Sequence, residues 1–178
     1  MSIEQNIPPA ALADWFQTPA GRYVLDWEMR QFDNAVDDVF GYYGVQVGLP
    51  GIDCLRENRI PLRVSAGLEP GCHVRAEPWS LPFASQSVDL VVLPHALELA
   101  RDPHHTLREV ERVLVPEGRV VIAGFNPASL WGLWQRMGRW GVQSALVLPQ
   151  GEFIAYWRLR DWLDRKSTRL NSSHTDIS

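Results

Sequence analysis

Cysteine, positive charge and long apolar runs are all scarce in this sequence, and each shortage excludes a class of protein. Its 178 residues include two cysteines, Cys54 and Cys72, which lack metal-ligand spacing and are too few for a disulfide framework. The net charge of -4 does not provide the basic footprint of a nucleic-acid binder. No run approaches the roughly 18 apolar residues of a membrane span, and the N-terminus carries no apolar signal-peptide core. We therefore expect one cytoplasmic domain that binds neither nucleic acid nor a membrane.

The sequence also lacks the full glycine motif of a nucleotide-binding turn. The stretch VQVGLPGIDC, residues 45–54, begins with an apolar run that ends at Gly48, as a buried strand that leads into a cofactor loop does. Pro50 replaces the second glycine of the usual Gly-x-Gly. The tetrapeptide that starts at Leu49 has instead the signature of a type II turn, with Gly51 at the third position. Gly48 and Gly51 permit a cofactor to approach the backbone closely, and an ordinary turn is the alternative.

Five short apolar runs predict the strands of a sheet. Their composition suits strands that are buried on both faces, and they cover residues 43–47, 62–65, 73–76, 88–93 and 119–123. Helices are predicted over about 19–40, before the first strand, and over about 52–57 and 103–114, between strands. This alternation predicts an α/β fold, a Rossmann-like doubly wound sheet that is mainly parallel. Such a sheet binds its ligand beyond the carboxyl ends of its strands, so the residues directly after each strand are candidates for a site.

The first predicted helix carries an aromatic stripe, which we expect to be its buried face. Thr18 has the character of an N-cap, with proline in the first helical turn. The stripe consists of Tyr23, Trp27, Phe32, Val36 and Phe40, whereas Glu28 belongs to the face that is predicted to contact water. Residues 1–18, before the helix, are interpreted as a loose lead-in.

The segment RAEPWSLPFASQSVDLVVLPHALELARDPHHTLREVERVLVPEGRVVIA, residues 75–123, identifies a family. In order, it contains an acid followed by Leu-Pro-Phe, a Val-Asp-Leu-Val-Val strand, Asp-Pro, Leu-Arg-Glu, Arg-Val-Leu and the turn Pro-Glu-Gly. This series resembles the characteristic half of class I S-adenosylmethionine (SAM)-dependent methyltransferases that act on small molecules. With the continuation GFNPASLWGLW, it is similar to the YafS-like subgroup of bacterial methyltransferase-like proteins. The resemblance implies SAM as cofactor.

The resemblance also assigns cofactor contacts to residues of this chain. Glu77 takes the place of an acid that accepts a hydrogen bond from the adenine amino group, and Pro78 and Trp79 then line the adenine pocket. Gly48 and Gly51 are expected beside the methionine part. An exposed loop glutamate is the alternative interpretation of Glu77.

Two positions depart from the family pattern, and one histidine has an open role. Ser65 stands where the family has an acid, at the end of the second strand, that binds both ribose hydroxyls, and a serine can bind one of them. Gln46 replaces an acid that is common in the first strand. His95 follows the fourth strand and is expected to touch the cofactor or substrate or to act as a base, unless it is a loop histidine bonded to the backbone. No metal site is predicted, and no catalytic residue is named.

The predicted function is methyl transfer from SAM to an unidentified small molecule. Positioning and desolvation can supply much of the catalysis, so the chemistry requires no unique catalytic side chain. The alternative is a non-catalytic binding or regulatory protein with a degenerate cofactor site, which Pro50 and Ser65 favour. A nicotinamide-dependent dehydrogenase is disfavoured because pyrophosphate binding requires the central glycine that this turn lacks.

The last part of the sequence predicts an incomplete domain. Aromatic residues from Trp131 to Trp140 form a short helical stretch, and residues 158–165 have the pattern of an amphipathic last helix. Residues 166–178 are polar and non-periodic, and we interpret them as a disordered, foreign tail. The expected organisation is thus a lead-in over 1–18, a methyltransferase-like domain over 19–165 with about five strands and the last two family strands missing, and the tail.

Overall fold

The computed structural model describes residues 9–124, which belong to a single compact unit. Within this range the chain forms four helices and five strands. In chain order they are α1 (Pro9–Phe16), α2 (Pro19–Val36), β1 (Tyr43–Val47), β2 (Leu62–Gly67), β3 (Val74–Arg75), β4 (Val88–Pro94), α3 (Ala96–Leu99), α4 (Pro103–Val113) and β5 (Leu114–Ala123). The predictions for the aromatic stretch near Trp131, the helix over 158–165, the tail and the two missing strands lie outside the described residues.

The five strands form one sheet in the order β3-β2-β1-β4-β5, and every pair is parallel. The predicted α/β class is therefore confirmed. The order reverses between β1 and β4, since the chain adds β2 and β3 on one side of β1 and then crosses to the other. In open parallel sheets the ligand crevice lies at such a reversal, beyond the carboxyl ends of the strands.

Strand β4 is the buried centre of the sheet. All of its residues except Asp89 are buried, as the apolar run predicts. The Asp89 carboxylate accepts hydrogen bonds from the backbone N–H groups of Tyr42 and Tyr43, at 2.8 and 2.9 Å. This contact ties the start of β1 to β4, so Asp89 has a structural role.

Helix α2 packs on one face of the sheet, but with a different face from the one predicted. It ends at Val36, and its N-cap Thr18 accepts from the Gly21 N–H, as expected. Its buried positions include Phe32 and Val36, and they pack with the residues Met29, Val39, Cys54, Leu55, Ile60, Leu90 and Val92. Tyr23, Trp27 and Phe40 are 74%, 55% and 74% exposed, so the proposed aromatic stripe is wrong for these three positions.

Residues 9–16 are not a loose lead-in, since they form α1. The side chains of Leu12, Trp15 and Phe16 are buried. The close approach of the two helices depends on Gly21, because a Cβ there would overlap the carbonyl of Trp15. The prediction failed because the helix has only eight residues, too short for a clear periodic signal.

Three other boundaries differ from the sequence-based expectation. No helix forms over 52–57, where the short crossover from β1 to β2 is a series of turns. Strand β2 continues to Gly67, two residues beyond the predicted end at Ser65. Strand β5 begins directly after α4, and the predicted turn at 116–118 persists as a register irregularity, with Glu117 at φ 68°. Within residues 9–124, no helix is long and apolar enough to cross a membrane.

Candidate functional site

The loop after β1 is held in place by one buried side chain. The Gln46 amide donates to the carbonyls of Gly48, Leu49 and Ile52 at 3.1, 3.0 and 2.7 Å, and its oxygen accepts from the Cys54 N–H at 2.9 Å. Only an amide supplies both donors and an acceptor in this geometry. Gln46 therefore organises the loop after β1, which the sequence predicts to lie beside the cofactor.

The turn in this loop has an unexpected conformation. The Ile52 N–H donates to the Leu49 carbonyl at 3.1 Å, which confirms a four-residue turn. A type II turn needs positive φ at Gly51, but the positive angles fall on Gly48 and Leu49, at 79° and 45°. The turn type predicted from the sequence is therefore wrong. Gly51 is exposed, and a Cβ there would have no atom within 4 Å, so packing does not require this glycine.

Ser65 lies inside β2, and its hydroxyl is bonded within the protein. The hydroxyl lies 2.8 Å from His73 Nδ1, and it accepts from the His73 N–H at 3.1 Å. The Ser65 N–H also donates to Nδ1, at 3.0 Å. The ring and the hydroxyl together join β2 to the segment that leads into β3. The residue that ends β2 and faces the crevice is Gly67.

The turn after β2 places a carboxylate over this strand end. A Cβ added to Gly67 would overlap Glu69 Oε2 and lie 3.0 Å from Cys72 Sγ. The Cys72 thiol donates to Glu69 Oε2 at 3.8 Å, and burial together with this carboxylate raises the pKa of Cys72. The thiol therefore stays protonated and able to donate.

The loop after β3 carries Glu77, Pro78 and Trp79, which are all half-buried. The Ser80 N–H donates to the Glu77 carbonyl at 2.9 Å and closes a turn that presents the Glu77 side chain. Glu77 Oε2 is buried and accepts no hydrogen bond from any described residue. A buried acceptor without a donor is costly, so this oxygen is suited to a donor from a ligand.

Helix α4 braces this loop from behind. Glu109 accepts from the Leu81 N–H at 2.9 Å, and Arg112 donates to the carbonyls of Leu81 and Phe83, both at 3.0 Å. Glu109 and Arg112 also pair with each other at 2.7 Å, and this lowers the pKa of Glu109. These two side chains of α4 therefore hold the loop.

His95, at the end of β4, is clamped between two carboxylates. Its Nδ1 lies 2.7 Å from Glu98 Oε2 and its Nε2 lies 3.1 Å from Glu28 Oε2. All three residues are buried, and His95 is 1% exposed. Burial alone lowers the pKa of His95, but hydrogen bonds to Glu28 and Glu98 and their negative charges outweigh it and raise the pKa to about 9. The ring is therefore a fixed imidazolium at neutral pH, and the prediction that Glu28 contacts water is wrong.

The sheet order arranges the predicted site residues along one edge. From one side to the other, the strand ends present Glu77 after β3, Gly67 as the last residue of β2, Gly48 after β1 and His95 after β4. Ser65 is set back from this edge by two residues. Within residues 9–124, no group of three or more His, Cys, Asp or Glu is arranged to hold a metal ion.

Sequence reasoning missed the roles of four side chains at this edge. They are Glu28, Gln46, Glu69 and Glu98. One signal was available, because Glu98 follows His95 by three residues and so shares a helix face with it. The position of Glu28 depends on how α2 packs, which no local pattern reveals.

Comparison with known proteins finds a family that this part of the chain resembles. Residues 43–122, which span β1 to β5, match the sequence profile of a family described as "Methyltransferase domain". Residues 43–122 are similar to methyltransferase domains. The resemblance predicted from the sequence is confirmed, and the matched segment covers every strand end described above.

Individual relatives agree with this assignment. The chain is 36% identical over 135 residues to uncharacterized protein YafS of Escherichia coli, covering 72% of this chain and 55% of YafS. It is 40% identical over 72 residues to malonyl-[acyl-carrier protein] O-methyltransferase of Halorhodospira halophila, covering 39% of this chain and 24% of that protein. The fold of a SAM-dependent methyltransferase from Thermotoga maritima matches with a TM-score of 0.56 at 16% identity, covering 85% of this chain and 79% of that one. The chain thus spans about half, or less, of the curated relatives that it matches.

Proposed function

We propose that this protein is a SAM-dependent methyltransferase that transfers a methyl group to a small-molecule acceptor. The observation that carries the proposal is that Glu77 Oε2 is buried and accepts no hydrogen bond within residues 9–124, at the strand edge where a doubly wound sheet binds its ligand. An adenine amino group can donate a hydrogen bond to this oxygen. The family match supports the same cofactor.

The order of the residues along the edge matches the order of the parts of SAM. Glu77 accepts from the adenine, and Pro78 and Trp79 supply apolar surface for its ring. Gly48 and Gly51 allow the methionine part to approach the backbone, because neither carries a side chain. When bound, SAM supplies a methyl group that is already activated on a sulfonium. What the chain supplies is orientation and exclusion of water, through a loop fixed by Gln46 and an adenine loop fixed by Arg112.

We propose that His95 lines the crevice and has a structural role there. Both ring nitrogens lie within hydrogen-bond distance of carboxylates, so the imidazole has no free nitrogen to accept a proton from an acceptor. We therefore assign it no role as a base. No other described side chain is assigned as catalytic.

The composition also supports a proposal about the type of acceptor and the cellular compartment. The net charge of -4 favours a small-molecule acceptor over nucleic acid, and nothing in the composition favours a membrane. Cys54 and Cys72 are free thiols, which is typical of a reducing compartment such as the cytoplasm.

The test is the effect of Glu77→Gln on affinity for S-adenosylhomocysteine, measured by calorimetry. The substitution keeps the shape of the side chain and removes its charge, so affinity is expected to fall roughly tenfold. Glu57→Gln, on an exposed crossover glutamate, is the matched control and should bind as the unaltered chain does. Equal affinity in Glu77→Gln and Glu57→Gln would remove Glu77 from the site.

A binding protein without turnover is the second candidate. It is favoured by the glycine at the end of β2 and by Pro50, which removes a backbone donor from the loop. Incubation of the chain with methyl-labelled SAM and a fraction of small metabolites separates the two. Label transferred to a metabolite supports the enzyme, whereas tight SAM binding with no labelled product supports the binding protein.

A further inference from the structure

The carboxylate of Glu69 occupies the place that a side chain on the last residue of β2 would take. That residue is Gly67, and a Cβ there would overlap Glu69 Oε2. Glu69 belongs to the turn after the strand, which is closed by a hydrogen bond from the Cys72 N–H to the Glu69 carbonyl at 3.3 Å. The turn folds the side chain back over the strand end, so an acid that is two residues away in sequence stands at this end of β2.

The same carboxylate also faces the neighbouring loop. A Cβ on Gly48 would lie 4.0 Å from Glu69 Oε1, so the two carboxylate oxygens lie over the ends of β2 and β1. The two loops contact each other, because a Cβ on Gly71 would lie 3.7 Å from the Pro50 ring. Gly48 and Gly71 both have positive φ, at 79° and 100°. These glycines hold the two turns in conformations that keep the carboxylate at the edge.

The Glu69 carboxylate has capacity left for a ligand. Within residues 9–124 it forms no ion pair with Lys or Arg, and its side-chain donor is the weak Cys72 thiol. A carboxylate has about four lone-pair positions and accepts two hydroxyl groups with ease. Ser65, by contrast, uses its hydroxyl on His73.

The order of the strands says which part of the ligand meets Glu69. Strand β2 lies between β3, which leads to Glu77, and β1, which leads to Gly48. In SAM the ribose joins the adenine to the methionine part. If the adenine is at Glu77 and the methionine part at Gly48, the ribose crosses the end of β2, where the Glu69 carboxylate lies.

We propose that Glu69 binds the two ribose hydroxyls of the cofactor and so replaces an acid that the end of β2 lacks. This inference rests on the proposed function, because it takes SAM as the ligand. Two vicinal hydroxyls match two oxygens of one carboxylate in charge-assisted hydrogen bonds. The departure at β2 is then a relocation of the acid from the strand into the turn.

The experiment compares ligands with and without the hydroxyls. Calorimetry on Glu69→Gln should show roughly tenfold weaker binding of S-adenosylhomocysteine than in the unaltered chain. The affinity for adenosine should also fall in Glu69→Gln, whereas 2′,3′-dideoxyadenosine should bind the variant and the unaltered chain equally. Glu57→Gln is the control for the change of charge, and thermal unfolding checks that each variant folds.

A second variant tests the relocation itself. Gly67→Asp combined with Glu69→Ala removes the overlapping side chain and places an acid on the strand, so it should recover S-adenosylhomocysteine affinity relative to Glu69→Ala. Binding by the unaltered chain with no change in Glu69→Gln would overturn this inference alone. Equal losses for adenosine and the dideoxynucleoside would overturn it as well, because the effect would not depend on the hydroxyls. Absence of S-adenosylhomocysteine binding by the unaltered chain would overturn the proposed function and this inference with it.

Discussion

At the scale of single residues, the clamp on His95 combines an unfavourable backbone conformation with buried charge. His95 has φ 54°, in the left-handed region that side chains rarely adopt, and it is buried with two carboxylates. A protein keeps such a group only when its partners satisfy it. Glu28 comes from α2 and Glu98 from α3, so the imidazolium joins two helices at the end of β4.

The clamp predicts a specific dependence of stability on pH. The pKa of His95 is raised in the folded chain from 6.5 to about 9, so the folded state binds this proton more tightly than the unfolded state. The contribution is fully present below about pH 6.5 and is lost as the pH rises through about 9. It amounts to up to about 3 kcal/mol in the free energy of unfolding. Urea unfolding between pH 6.5 and 9.5 should show the decline.

Nuclear magnetic resonance can measure the titration of the His95 ring directly. The His95 ring resonance should titrate near pH 9, and Glu28→Gln should lower its midpoint because one of the two raising charges is removed. The exposed His104 serves as a reference in the same spectrum. A His95 midpoint at or below 6.5 would contradict the clamp.

At the scale of elements, the crossover from β1 to β2 depends on Gln46 rather than on a helix. The crossover is short, and no helix forms in it. One amide bonds to three carbonyls and one N–H instead, from a side chain that is 4% exposed. The amide thus performs the ordering that a crossover helix performs elsewhere.

Replacing the Gln46 amide by a carboxylic acid should therefore destabilise the folded chain. Gln46→Glu has the same shape, but a carboxylate cannot donate to the carbonyls of Gly48, Leu49 and Ile52. We expect the free energy of unfolding to fall by about 2 kcal/mol or more, measured in urea. Gln31→Glu, on an exposed position of α2, is the matched control and should change it by less than about 0.5 kcal/mol. Equal stability of the two variants would show that the bonds of Gln46 do not hold the loop.

The elements also show what local patterns can and cannot reveal. The strands were predictable because buried parallel strands are continuous apolar runs, and the N-cap Thr18 gave the start of α2. Local patterns failed on α2, where Tyr23 and Trp27 have helical spacing but lie on the exposed side. Spacing identifies a stripe, while the neighbouring element decides which stripe is buried.

At the scale of the whole molecule, the sequence predicted the architecture better than the site. The order of apolar runs and the motifs over 75–123 were sufficient for the α/β class and the family, and both are confirmed. The contacts at the strand edge were not predictable, since Glu28 and His95 are 67 residues apart in the chain. The Glu69 carboxylate was missed because β2 is two residues longer than its apolar run indicates.

The central claim is that the edge formed by Glu77, Gly67, Gly48 and His95 binds SAM. Its most direct test is a calorimetric titration of the unaltered chain with S-adenosylhomocysteine, with NAD titrated in parallel. We predict saturable binding of one S-adenosylhomocysteine per chain and none of NAD, because the loop at Gly48 lacks the central glycine that a pyrophosphate requires. No binding of S-adenosylhomocysteine, or binding of NAD in its place, would contradict the account.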